Sequence, residues 1–321
     1  MKRKRKKRIS LKNDYYNLVL IIITIIIIIF SNQINNSFGL TEEKENELKQ
    51  NNNNKIIPIT NEILKIYYLD VGQAESILIN SNNEFMVIDG GNNNDGPLLV
   101  KYFKELGIKK IKYIIATHPH EDHIGGLDDI ITSFEIENIY MPDVITTTRT
   151  FEDLLNAIDK KRMNYNIPII DSNLNLGNAN ISIIYTGTDS KELNNASIIL
   201  KLTYGNNSFL FTGDTTNTIE KQILNKDLKS DVLKVAHHGS KYSSTAHFLK
   251  KVDPKYAIIS CGQSNSYDHP NSITLKKLER MNVETYRTDL NGTIIANSNG
   301  KDISFEFIKT DTDGDHYDVY H

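Results

Sequence analysis

Ala116-Thr117-His118-Pro119-His120-Glu121-Asp122-His123-Ile124-Gly125-Gly126 places three histidines and an aspartate within six positions. A strand-like apolar run, Ile111 to Ala116, leads in, and a Gly-Gly pair leads out. Imidazole nitrogens and carboxylate oxygens are the ligands that borderline divalent metals prefer. Packing them this tightly has little purpose without a cation, so the stretch reads as half of a metal site at the end of a strand.

Working outward, the hydrophobic periodicity predicts strands at Ile63–Leu69, Ser76–Ile79 and Phe85–Ile88, with Asp89-Gly90-Gly91 as a tight turn. Leu98–Leu106 has helical spacing, with Gly107 as its stop signal, and Lys112–Ala116 returns as a strand. Gly125–Ile131 and Phe151–Met163 read as helices. Strands follow at Ile167–Ile170, Ile181–Tyr185, Ser197–Thr203 and Ser208–Phe211, then a helix at Thr215–Leu224. Val232–Ala236 and Tyr256–Ser260 are strands, Ser272–Met281 a helix, and Thr293–Ala296 and Ile303–Ile308 the final strands. Two successive runs of strands, each interleaved with helices, predict an α/β sandwich. It has two mixed sheets face to face and helices outside, over residues 61–310.

Charge is unevenly spread over the 321 residues. Residues 1–30 carry a net charge of +7, and the remainder holds 29 basic and 39 acidic residues, a net of −10. A body of that sign is no general magnet for nucleic acid. A polyanionic substrate would need a local basic groove or the metals themselves.

The basic residues 1–17 precede the apolar run Leu18–Phe30. At 1.5 Å per residue that run reaches roughly 20 Å, short of a ~30 Å hydrocarbon core. It reads as a signal-peptide core or a short membrane anchor. Either puts the basic end in the cytoplasm and the body in an extracytoplasmic position, secreted or held to the membrane. Residues 31–60 read as an Asn-rich linker and 311–321 as an acidic tail. Cys261 is the one cysteine, so neither an internal disulfide nor a thiolate-rich metal site exists.

Three further clusters fall at predicted strand ends: Gly213-Asp214, His237-His238, and Tyr267-Asp268-His269-Pro270. Strand ends opening on one cleft bring distant ligands together, because a rigid sheet fixes their spacing. A carboxylate such as Asp214 has two oxygens and can bridge two metals about 3.5–4 Å apart.

The pattern His118-x-His120-x-Asp122-His123-x-Gly125-Gly126 resembles the signature of the metallo-β-lactamase superfamily. Several further segments resemble the C-terminal hydrolase domain of ComEC-type DNA-uptake (competence) proteins. They are Leu69-Asp70-Val71-Gly72-Gln73, Ile88-Asp89-Gly90-Gly91, Asn194-Asn195-x-Ser197, Thr212-Gly213-Asp214-Thr215, Leu233–Ser240 and Tyr267-x-His269-Pro270. The resemblance runs in order from about Ile63 to about Ala296 and implies an αβ/βα sandwich with a metal cleft at one edge of the sheets.

Carried over, it implies two divalent metal ions, Zn²⁺ first and Mn²⁺ as the alternative. His118 and His120 would bind one, Asp122 and His123 the other, and Asp214 would bridge them. One of His237 and His238 would complete the second site. Asp122 and His269 would be catalytic, the first orienting the attacking water, the second serving the leaving oxygen. Gly239, Ser240 and Asn195 would contact substrate, while Asp70 and Asp89 would support the loops. The sequence departs from the pattern in three places. No histidine lies between His123 and His237, where the wider superfamily supplies a third ligand to the first metal. His120 stands where the ComEC-like branch often has an acid. Glu75 replaces the usual Asp after the Gly-Gln turn.

The function this implies is metal-dependent phosphodiester hydrolysis by an exported or membrane-anchored enzyme acting on DNA. One alternative is a cell-envelope phosphodiesterase acting on a small headgroup such as teichoic-acid phosphocholine. The other is a non-enzymatic, metal-stabilised surface module. No protein partner is inferable.

Overall fold

The computed structural model describes residues 63–188 and 191–309. The basic terminus (1–17), apolar run (18–30), Asn-rich linker (31–60) and acidic tail (311–321) fall outside the described residues. Among the described residues no helix is long and apolar enough to cross a membrane.

The first sheet begins with an antiparallel meander, β1 (Leu64–Tyr68), β2 (Ile77–Ser81) and β3 (Glu84–Ile88). Its pairing then turns parallel through β4 (Lys110–Ile115), β5 (Glu135–Tyr140) and the two-residue β6 (Tyr165–Asn166). The second sheet repeats the plan. β7 (Asn173–Leu176), β8 (Ala179–Tyr185), β9 (Ile199–Tyr204) and β10 (Asn207–Phe211) pair antiparallel. Beyond β10, the strands β11 (Val232–Lys234), β12 (Tyr256–Ile259) and β13 (Glu284–Arg287) run parallel. The last strands, β14 (Thr293–Ser298) and β15 (Ile303–Ile308), return to the first sheet beside β1. In each sheet the loops that matter leave the parallel strands next to the switch in direction, where open α/β sheets present their crevices.

Side-chain alternation builds the layers. Leu64, Ile66 and Tyr68 of β1 meet Leu200, Leu202, Phe209 and Phe211 in a core between the sheets. The opposite face of the first sheet packs on α1 (Gly96–Glu105), α3 (Leu127–Ser133) and α4 (Arg149–Lys160). The second sheet is covered by α5 (Asn217–Gln222), α6 (Ala246–Val252) and α7 (Ser272–Arg280). The result is the α/β/β/α order expected of two mixed sheets with outer helices.

Some local expectations fail for identifiable reasons. Ile167–Ile170 forms no strand; Pro168 removes an amide donor from the run, and Ile169 is left 73% exposed. The helix expected at Gly125–Ile131 is found as α3, starting at Leu127, and a further short helix, α2 (Glu121–Ile124), which was not expected, precedes it across Gly125-Gly126. A Cβ on Gly125 would drive into the Asn92 backbone, so only glycine lets the two loops touch. The strands β5, β7 and β13 and the helix α6 had no counterpart in the reading of the sequence. α8 (Thr288–Asn291) adds one further turn before β14.

Candidate metal centre

The histidine loop leaves the end of β4 and passes through Thr117 and His118 into α2. Asp89 leaves the neighbouring end of β3, its amide still bonded to the Ile115 carbonyl (2.9 Å). From the second sheet come Asp214 after β10 and His237-His238 after β11, with His269 in the loop after β12. Ile198 N donates to Thr117 O (3.0 Å) and joins the two edges, while within the second sheet Asp214 N donates to the Ser197 hydroxyl (3.1 Å).

Three buried imidazoles are held by the same nitrogen. His123 Nδ1 donates to Asp89 Oδ2 (2.7 Å) and His238 Nδ1 to the Ser260 carbonyl (2.9 Å). His118 Nδ1 lies 3.1 Å from Thr117 Oγ1, whose one proton goes to Asp89 Oδ2 (2.7 Å), so the imidazole is the donor. Each ring therefore turns Nε2 toward the shared centre. His123 Nε2 lies 3.3 Å from Asp214 Oδ1, and His238 Nε2 lies 3.5 Å from Asp214 Oδ2 and 3.4 Å from Asp122 Oδ2.

His123 Nε2, His238 Nε2 and Asp214 Oδ1 are buried without a hydrogen-bond partner. Burying so many polar atoms unpaired is costly unless something binds them. Two sets converge, His118/His123/Asp214 and Asp122/His123/His238, with the ligand atoms of each within 4.8 Å of one another. The donor set, imidazole and carboxylate without thiolate, fits a divalent cation.

Electrostatics follow from this crowding. Burial works to raise Asp214, but His123, His238 and His237 outweigh it and hold the carboxylate well below its usual range. Burial works to lower His123 and His238; the surrounding carboxylates, Asp214 foremost, hold both above the ordinary imidazole value. Burial, aided by His123, pushes His118 well down. Burial also drives Asp89 up to about 6.

The structure separates His237 from His238. His238 is buried and joins a ligand set. His237 stands on the cleft wall with Nε2 3.7 Å from Asp214 Oδ2 and belongs to neither set. His120 also lies outside both sets and touches His118 Nε2 through its Nδ1 (3.0 Å). His269 faces the cleft with its ring 5.3 Å from that of His237, and burial together with His237 and His238 brings it down to about 4. Gly239 and Ser240 are buried, and their amides bond to Ala236 O (3.1 Å) and His237 O (2.8 Å) within the turn, so neither amide is offered to a substrate. Asn195 Oδ1 accepts from the Thr216 hydroxyl (2.6 Å), and it is Asn194 that lines the cleft.

The cleft has a volume of about 520 Å³. Besides the expected residues it is lined by Gln73, Asn92, Glu121, Asn194 and Tyr267, and none of its described lining residues is Lys or Arg. Asp89 has a larger part than loop support, because it fixes His123 directly and His118 through Thr117. An aspartate before Gly-Gly is the sole trace of that role in the sequence.

A buried ion pair lies behind the site. Lys234 of β11 bonds to Glu75, and both side chains are fully buried. The Glu75 amide donates to Asp122 O (3.0 Å), so the pair ties the first sheet's ligand loop to the second sheet.

A family model described as the metallo-beta-lactamase superfamily matches residues 69–263. ComE operon protein 3 of Bacillus subtilis is 28% identical over 70% of this chain and 32% of its own length. Competence protein ComA of Neisseria gonorrhoeae is 26% identical over 70% of this chain and 31% of its own. The chain thus spans about a third of the length of these curated relatives. Among solved structures, the metallo-beta-lactamase fold protein YhfI from Bacillus subtilis aligns over 70% of this chain and 95% of its own, with 14% identity and a TM-score of 0.48.

Proposed function

This chain belongs to the metallo-beta-lactamase superfamily, and we propose that its metal centre hydrolyses phosphodiesters, with DNA as the substrate. The observation that carries the reading is the pair of Nδ1-tethered imidazoles, His123 and His238, whose Nε2 atoms meet Asp214 at the floor of the cleft. The relative named as a competence protein supports DNA as the substrate.

His118, His123, Asp214, Asp122 and His238 would hold two divalent cations, Zn²⁺ or alternatively Mn²⁺, which lower the pKa of a water toward 7 and supply a nucleophile at neutral pH. Asp122, held ionised against His123 and His238, accepts a hydrogen bond from the attacking water and orients it. His269 is a neutral ring at pH 7 and serves the leaving oxygen as a hydrogen-bond partner. His120 and His237 flank the reacting group on the cleft wall. The N-terminal apolar run supports an extracytoplasmic, secreted or membrane-held enzyme.

A second reading has one observation in its favour. A cleft without Lys or Arg suits a small phosphoester headgroup, such as teichoic-acid phosphocholine, better than a long polyanion. The test loads the full chain in turn with Zn²⁺ and Mn²⁺ and supplies single-stranded DNA, duplex DNA and glycerophosphocholine. Metal-dependent DNA cleavage that disappears in Asp214→Ala supports the proposal. Turnover of the choline ester alone moves the substrate to the envelope. An inert protein that binds metal tightly would leave a structural module.

A further inference from the structure

Three rings climb the cleft wall from the buried centre to the surface. The His238 and His269 rings lie 6.3 Å apart with planes inclined by 22°, and His269 and Tyr267 lie 5.9 Å apart at 24°. The first of these rings is a buried ligand candidate; the last is 68% exposed at the cleft mouth. His269 lies offset beside the Tyr267 ring, and most of that ring's surface is open to a ligand.

The loop that carries Tyr267 is built around one side chain. Asn265 Oδ1 accepts from the amides of Tyr267 and His269 (3.1 Å each), while its Nδ2 donates to the Gly262 carbonyl (2.9 Å). Asn271 Nδ2 bonds to Asp268 Oδ2 (2.7 Å) and closes the turn. The aromatic ring is thus presented on a fixed support, which lowers the ordering cost of binding to it.

The charge of the cleft decides what the ring can recognise. With Glu121 and Asp122 on its wall and no Lys or Arg among its described lining residues, the cleft has no means of tracking a phosphate backbone by ion pairing. Beyond the one phosphate that the metals would hold, recognition of a strand falls to the base. A quaternary ammonium, the other partner of an aromatic face, is best held by several rings around it. A single flat, open face suits a base, and every base offers a π-face of its own.

We propose that Tyr267 is a stacking platform for an unpaired nucleobase beside the scissile phosphate, so that the enzyme acts on single strands or strand ends. The inference rests on the phosphodiester reading above and names the substrate's recognition element. The test uses the full chain and a short thymidine oligonucleotide, with an abasic strand of equal length as reference. Binding is read by fluorescence anisotropy in an Asp214→Ala background and cleavage in the Zn²⁺- or Mn²⁺-loaded protein. In both readouts the preference for the base-carrying strand should fall roughly tenfold or more in Tyr267→Ala, the scale of one lost stack. Tyr267→Phe should restore it, because the ring is retained.

A preference that does not change in Tyr267→Ala overturns the platform while leaving phosphodiester cleavage standing. Tyr267-dependent binding without cleavage supports the platform and removes the nuclease. Tyr267 dependence for glycerophosphocholine but not for the strand overturns the platform in favour of a choline site. A protein that neither binds nor cuts the strand overturns both proposals.

Discussion

Replacing Asp89 by alanine removes three hydrogen bonds at once: those from the Thr117 amide, the Thr117 hydroxyl and His123 Nδ1. None of them reaches substrate, yet they set which nitrogen of His118 and His123 faces the centre. The expected result is a 10–100-fold loss of metal affinity in a chain with unchanged circular dichroism, measured by calorimetric titration. A second expectation concerns protons. Without metal, His123 and His238 are held above the usual imidazole value by the carboxylates around them. Binding a cation through Nε2 displaces those protons, so affinity must rise with pH, by about tenfold per unit for each proton released. Titrations from pH 6 to 8 in buffers of different ionisation heat count the protons directly. The crowding of His and Asp side chains from separate segments at one centre was legible in the sequence. The choice between His237 and His238 was not, because it is made by the carbonyl of Ser260, which only the folded sheet brings within 2.9 Å. Asn194 and Asn195 fall under the same limit: adjacent residues of one turn, one facing the cleft and the other bonded inward to Thr216.

At the level of the element, Gly213 ends β10 with φ +49, and an added Cβ would meet Ser197 at 3.1 Å. Gly213→Ala should therefore cost about 1–3 kcal/mol in urea unfolding and reduce bound metal, since the next residue is Asp214. Unchanged metal content would show that the turn tolerates a side chain without moving the carboxylate. The strands that the sequence concealed share a physical cause. β13 reads Glu-Thr-Tyr-Arg at the sheet's edge, where it has one neighbour and no need of an apolar run. β5 carries charged or polar residues at alternate positions, although its pairing is parallel on both sides. The reverse error, Ile167–Ile170, had strand composition, but Pro168 interrupts it. Strand β4, which ends in the consecutive buried residues Tyr113, Ile114 and Ile115, was plain in the sequence because burial on both faces there leaves little room for polar residues.

For the molecule as a whole, the four-layer plan was legible because its signals repeat: apolar strands, short turns and helices in two similar rounds. Cys261 gives a probe of its integrity. The thiol is buried, and burial together with nearby Asp289 pushes it up to about 12. It should resist a thiol reagent at pH 8 in the native state and react at the rate of unfolding. Added metal should slow that reaction, because it binds the folded chain alone. Fast labelling of native protein would contradict the burial of Cys261 just beyond β12. The charge distribution supplies another whole-molecule expectation. Residues 31–321 carry a net charge of −10, so strand affinity should change less than about tenfold between 50 and 200 mM salt; a steep slope would reveal a basic groove. The joining of the two sheet edges has one more consequence. His118–His123 come from one sheet and Asp214 and His238 from the other, so the centre works as a coincidence detector for folding. A chain with one sheet formed carries an incomplete ligand set and is chemically silent. Whatever hydrolysis the finished centre performs therefore begins only when both sheets have closed, and a nascent or partly folded copy stays inert.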